Sequence, residues 1–303
     1  MNGDYTPRLR HQIAVGDSVL AVVEEGRGPA VVLGQSYLWD WRMWQPQMQA
    51  LASRCRVIVP ELWGHGDSGP LPSGTASLAD VAAQMLEMLD QLEIDRCVIV
   101  GCSVGGMWGA HLAARAPERV AGLVLMNTSL GKEPEPKRLY YAAMLDQIEA
   151  EGRIGDGLMA AITPLFFAQG IEQRAPYLPQ CLRERLRRFS PGRLRQSVVP
   201  LGRLIFDRPD ALGVLAGIKA PTLILAGAND QGRPPDESRI MADLFPAELV
   251  VIQGAGHSAG LERPEEVNAA LLAFLDEIGW GATPPLQNPQ RAAVSRHSAR
   301  RSA

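Results

Sequence analysis

The sequence predicts an α/β protein, a mostly parallel, doubly wound sheet with a helical segment inserted late in the chain. Three observations carry that prediction. Short runs rich in β-branched residues recur, each run is continuous instead of alternating, and amphipathic helical patterns separate them. A strand reads this way when helices cover both faces of its sheet, which calls for parallel strands joined by crossovers.

The runs are AVVLG (30–34), RVIVP (56–60), CVIVG (97–101), GLVLM (122–126), PTLILAG (221–227) and LVVIQ (249–253). Between them, SLADVAAQMLEMLDQL (77–92) places Ser77 as a helix cap, and PEEVNAALLAFLDEI (264–278) places Pro264 in a first turn. From about Thr128 to Gly217 the strand rhythm stops. The chain there becomes helical pieces broken by Pro134, Pro136, Pro164, Pro176, Pro179, Pro191 and Pro200. The expected organisation is a core of residues 1–127 and 217–280, a helical cap of residues 128–216 inserted in it, and a disordered tail of residues 281–303. That last stretch has few large apolar side chains.

Composition narrows the functional classes. The chain has 303 residues, is 46% hydrophobic and 21% charged, and carries a formal net charge of −3. No apolar run reaches the roughly 18 to 20 residues that span a bilayer, and the first residues lack the apolar stretch of a signal peptide, so a cytoplasmic protein with no membrane partner is expected. Cys55, Cys97, Cys102 and Cys181 form no CxxC pair and neighbour no spaced histidines, so neither a disulfide nor a structural metal is expected. An Arg-rich stretch, CLRERLRRFSPGRLR (181–195), reads as an amphipathic helix with Leu182, Leu186 and Phe189 on its apolar side and a solvated basic face. The slightly acidic total argues against a nucleic-acid partner for it or for the basic end RAAVSRHSARRSA (291–303).

The chemistry is concentrated at Gly101-Cys102-Ser103-Val104-Gly105. A Gly-x-Ser-x-Gly turn between a buried strand and a helix holds its serine on a tight bend whose neighbours must be small. Here CVIVG supplies the strand, and VGGMWGAHLAARAPE (104–118) supplies a helix that starts just after the serine and aims backbone N–H groups at the reacting centre. Serine needs a histidine base oriented by a carboxylate. His257 follows LVVIQ through Gly254-Ala255-Gly256. His11 and His65 precede the serine, His111 lies on the following helix, and His297 lies in the tail. Asp230, after PTLILAG, is the expected acid. Asp236 competes but begins the next helix, where capping explains it, and the alternative acid position after GLVLM holds Asn127. The expected oxyanion donors are the Val104 amide and one near Tyr37 in the loop after AVVLG. Candidate pocket residues are Gln35, Ser36, Trp39, Trp108, Asn127 and Phe166, with packing between core and cap as the competing explanation for the aromatics. Trp41, Trp44, Met107, Met126, Leu165 and Phe167 are weighed the same way. His65 is expected to serve its loop, and Cys102 to be a small buried side chain.

GCSVGG, GAND, GAGH and the segment ELWGHGDSG (61–69) together resemble the α/β-hydrolase superfamily over about residues 10–280. The loop Gly34-Gln35-Ser36-Tyr37-Leu38 departs from the His-Gly start common in the wider family. It looks more like that of the 3-oxoadipate enol-lactonases, in which an Asn-Ser pair stands at Gln35-Ser36, and LMNTSLG (125–131) is similar to them at Asn127 and Thr128. The resemblance implies a cofactor-free serine esterase or lactonase acting on a small molecule through Ser103, His257 and Asp230. Ser103 counts against the haloalkane dehalogenases and epoxide hydrolases, which carry aspartate there. Carbon–carbon bond hydrolysis, perhydrolysis, or a receptor that keeps the triad without turnover are the alternatives.

Overall fold

The computed structural model describes residues 6–7 and 9–281. Eight strands form one sheet: β1 Leu9–Val15, β2 Ser18–Gly26, β3 Ala30–Gly34, β4 Arg56–Pro60, β5 Cys97–Cys102, β6 Val120–Met126, β7 Thr222–Gly227 and β8 Glu248–Ile252. Their order is β1-β2-β4-β3-β5-β6-β7-β8. From β4 to β8 every neighbouring pair is parallel, while β2 runs antiparallel to both β1 and β4. The six expected runs are β3 to β8. The hairpin β1–β2 lies outside the expected runs: β1 is a half-exposed edge strand that lacks a continuous apolar run, while β2 has one, LAVV, that was not among them. Its two-residue turn, Gly16-Asp17, puts Gly16 at φ 57°, the left-handed geometry that such hairpins require.

The core helices are α1 Gln45–Leu51, α2 Leu78–Gln91 and α3 Val104–Arg115, followed later by α10 Pro235–Leu244, α11 Ala259–Glu262 and α12 Pro264–Glu277. Ser77 caps α2 as expected, its hydroxyl accepting from the Asp80 amide at 3.2 Å. β3, β5, β6 and β7 are buried at every position, so the continuous apolar runs are the middle of the sheet. Between β6 and β7 the chain forms only helices: α4 Glu135–Glu151, α5 Asp156–Phe166, α6 Ile171–Arg174, α7 Tyr177–Arg187, α8 Pro191–Arg193 and α9 Val199–Phe206. α7 buries Leu178, Leu182 and Leu186, and it turns Arg183 and Arg187 into exposed ion pairs with Glu172 and Asp156. The basic end 291–303 and nearly all of the expected tail lie outside the described residues.

From β3 the chain steps to β4 on one side and then to β5 on the other. The crevice beyond the carboxyl ends of β3 and β5 is therefore the switch point of the sheet, where α/β proteins bind their ligands. The loop after β3 carries Gln35 to Leu38, and the turn after β5 carries Ser103. No helix among the described residues is long and apolar enough to cross a membrane.

Candidate active site

Ser103 adopts φ 55° and ψ −122°, a conformation L-residues rarely occupy. It persists because the neighbours leave no room for anything else. A Cβ on Gly101 would run into the Gly105 carbonyl and the Gly106 nitrogen, and one on Gly105 would run into the Gly34 carbonyl, 2.9 Å from the Gly34 Cα. The turn is also pinned by hydrogen bonds. The Ser103 amide donates to Met126 O at 2.9 Å, and Thr128 Oγ1 donates to Ser103 O at 2.7 Å.

β7 and β8 bring two further residues to the same end of the sheet. His257 Nδ1 lies 2.8 Å from Asp230 Oδ2. Asp230 also accepts from Asn127 Nδ2 at 2.8 Å and, on its other oxygen, from the Arg233 amide at 2.8 Å. An ionised carboxylate so placed only accepts, so the ring proton sits on Nδ1 and the Nε2 lone pair is left for another donor. Ser36 Oγ is 3.3 Å from Nε2. The loop before His257 is held as well: the Gly256 amide donates to Glu262 Oε1 at 2.9 Å, and the Ala168 amide donates to Glu262 Oε2 at 3.0 Å. Burial holds Glu262 above the usual carboxylate range.

The loop after β3 contains a second strained residue, Leu38 at φ 67°. Its amide donates to His65 Nε2 at 3.0 Å, and His65 Nδ1 in turn donates to Trp63 O at 2.9 Å. Both ring nitrogens are thus committed to a neutral imidazole, and burial lowers the His65 pKa to about 4. The Tyr37 hydroxyl donates to Val198 O at 2.6 Å, which ties the loop to the helical segment. The Ser36 amide is turned towards Met43 Sδ at 3.2 Å. Among the described residues, the amides of Tyr37 and Val104 have no backbone acceptor.

These elements enclose a cavity of about 80 Å³. Ser103, His257, Ser36 and Tyr37 form its floor. Tyr141, Met144, Leu145 and Ile148 of α4, Leu165 and Phe166 of α5, and Ile205 and Phe206 of α9 form its walls. Phe166 packs edge-on against His257, ring centroids 5.6 Å apart. Gln35, Trp39, Trp108 and Asn127, expected as pocket residues, do not line it. Gln35 donates to Trp39 O at 2.6 Å, Trp108 lies over Gly34, and Trp39 meets Phe166 and Phe167 edge-on from behind. Asn127 faces Asp230. Cys102 is fully buried, and that burial holds its thiol well above its ordinary value.

The α/β-hydrolase fold family matches residues 29–264. The chain belongs to the α/β-hydrolase family. Over 251 residues it is 30% identical to a Yersinia enterocolitica protein named "Putative carbamate hydrolase RutD", an alignment covering 81% of this hydrolase and 86% of that protein. A thermophilic esterase from Thermogutta terrifontis superposes with a TM-score of 0.79 at 26% identity, covering 89% of this chain and 99% of that one. The enol-lactonase from Burkholderia xenovorans superposes at 0.77 with 26% identity, covering 88% and 100%.

Three contributors to the site escaped the sequence reading. Glu262 joins the nearby Gly256 amide to the distant Ala168 amide, and Arg233 joins the nearby Asp230 to the distant Glu133. Glu133, at the start of the helical segment, reaches the same loop as Arg233 (below). None belongs to a local motif, so only the assembled fold reveals them.

Proposed function

We propose that this hydrolase cleaves the acyl carbon–oxygen bond of a small, uncharged, apolar ester or lactone through an acyl-enzyme on Ser103. Support comes chiefly from one juxtaposition: a histidine whose Nδ1 proton is committed to Asp230 faces, through Nε2, the cavity that holds the strained Ser103. In this mechanism Ser103 Oγ attacks the carbonyl carbon as His257 Nε2 takes its proton. The oxyanion forms against the free amides of Tyr37 and Val104, and the N-terminus of α3 adds its dipole. The carbonyl reforms, the bond to the leaving oxygen breaks, and His257 returns the proton to that oxygen. Water then repeats the sequence on the acyl-serine and frees the carboxylic acid. Asp230 orients the imidazole and stabilises its cation.

The walls favour an uncharged substrate. Among the described residues, the only Lys, Arg, Asp or Glu lining the cavity is Arg233, and its guanidinium is already engaged by Glu133 and Glu237. A carboxylate-bearing substrate would enter an apolar space without a free cation to receive it. A carbamate is the second reading, supported by the 30% identity to the protein from Yersinia enterocolitica. Its carbonyl meets the same nucleophile and the same amides.

A fluorophosphonate probe should label Ser103, and a panel of nitrophenyl esters, lactones and aryl carbamates should identify the bond. Ser103→Ala should lower kcat by about 10⁴-fold or more. Wild-type turnover by folded Ser103→Ala would overturn the assignment. Labelling without multiple turnover on any of the three classes would favour a receptor.

A further inference from the structure

Beside the cavity, Glu133, Arg208, Arg233 and the partly buried Glu237 form a charged cluster. The side chains of Arg208 and Arg233 are 4% exposed and that of Glu133 is 0% exposed. Arg208 Nη1 donates to Glu133 Oε1 and to Ile205 O, both at 2.8 Å. The Arg233 guanidinium pairs with the same Glu133 carboxylate and reaches Glu237 Oε2 at 3.2 Å. Glu133 stands just before α4 and Arg208 just after α9, so the cluster gathers both ends of the long helical run. Arg233 stands three residues beyond Asp230, and its amide donates to Asp230 Oδ1.

Buried ion clusters are poor sources of net stability, because desolvation consumes most of the attraction. Their distinct property is that removing one member leaves an uncompensated charge at low dielectric. Two arginines and two glutamates here cancel, beside an imidazole that must gain and lose a positive charge during turnover.

We propose that Arg233 is a positioning residue for Asp230 and His257, held by a neutral buried clasp that fixes the acid loop to both ends of the helical segment. This rests on the reading of Asp230 and His257 given above. Arg233 holds Asp230 through its main chain and is itself immobilised through its side chain. Glu133 cancels the field that the guanidinium would otherwise cast on the imidazole. A protein whose helical segment is displaced loses Glu133 and Arg208 from the clasp, and the acid loop loses its anchor.

The sign of the effect separates this role from a merely structural one. Glu133→Gln leaves one excess positive charge, which opposes the imidazolium. The acidic limb of the pH profile of kcat/KM, and the titration of the His257 ring followed by NMR, should both move down by about one pH unit. Arg233→Met leaves one excess negative charge and should move both up by a similar amount. The double variant is neutral again and should return both close to wild type. The other titratable groups around the pair, Cys102 from β5, Tyr141 from α4, Glu237 from α10 and Glu262 from α11, are unchanged in all four proteins. Circular dichroism checks folding. Should Arg233→Met not fold, Glu133→Gln and the double variant still carry the test. Titrations that coincide with wild type, or two single variants shifting the same way, would overturn the proposal. Because the NMR titration needs no turnover, it tests the clasp even if Ser103 proves unreactive, and that result would count against the catalytic reading alone.

Discussion

The turn after β5 and the loop after β3 stand side by side and offer their amides to the same cavity, yet they are held by different means. Each contains a non-glycine residue at positive φ, Ser103 at 55° and Leu38 at 67°. Around Ser103 the strain is held by absence: Gly101 and Gly105 carry no Cβ, and the backbones of β3, β5 and α3 close on the space. Around Leu38 it is held by presence, a buried neutral His65 that accepts the Leu38 amide. A turn secured by what is missing must write its glycines at fixed spacing. A turn secured by a partner 27 residues away leaves no local pattern.

The sharpest way to break the comparison is to fill the gap that both regions share. Gly105→Ala sets a methyl group against the carbonyl of Gly34, the last residue of β3, and the obstacle is backbone that cannot rotate aside. Overpacking usually costs about 1 to 3 kcal/mol, and a fixed backbone obstacle puts this site at the upper end or beyond. Urea denaturation should show a loss of about 3 kcal/mol or more. A loss below about 1 kcal/mol would mean that the elbow is less confined than its geometry indicates.

The second test addresses His65. Its folded pKa of about 4 lies below the ordinary 6.5. The unfolded chain therefore binds the extra proton first as pH falls, and the native state loses stability between about pH 6.5 and 4. Above pH 6.5 the contribution is fully present. The fall from 6.5 to about 4 corresponds to roughly 3 kcal/mol across that window. His65→Gln retains an acceptor for the Leu38 amide and removes the titration. The difference in unfolding free energy between wild type and variant should therefore narrow as the pH is lowered through the window. Parallel curves would show that His65 is not the neutral clamp of the loop. Glu61 and Glu262, whose burial raises their carboxyl pKa values, act with the opposite sign but are common to both proteins.

The same distinction explains what could be read in the sequence. Six strands, the cap of α2, the first-turn proline of α12, and the positions of Ser103, Asp230 and His257 at strand ends all follow from local patterns. Gly-x-Ser-x-Gly is legible because sterics fix its spacing. The β1–β2 hairpin was missed although Gly16-Asp17 marks its turn and β2 carries the run LAVV, since β1, LRHQIAV, lacks the continuous apolar signal of β3 or β5. The pocket was misread at Trp39 and Trp108. Aromatic clustering in sequence near a strand end does not say whether a ring faces the cavity or stands behind it. Here both indoles are buried, and the walls come from α4, α5 and α9, whose amphipathic faces show that they pack but not against what. Tertiary ties such as Glu262 to Ala168 have no sequence signature at all.

The smallest effects belong to the hydroxyls that finish each region. Thr128→Val removes the bond to Ser103 O but is nearly isosteric, and Tyr37→Phe removes the bond to Val198 O. Each should cost about 1 kcal/mol of stability, the ordinary net worth of a buried hydrogen bond whose acceptor is then left unmet. Their effects on turnover should differ. Thr128 buttresses the peptide that carries the strained serine, so its loss should lower kcat severalfold with KM little changed. Tyr37 links the loop after β3 to the segment just before α9, so its loss should act mainly on KM by loosening the wall that carries Ile205 and Phe206. The split between kcat and KM is the informative quantity. If both variants changed the same parameter by the same factor, the two regions would be acting as one unit, and the contrast between a turn held by its glycines and a loop held by its partners would not extend to catalysis.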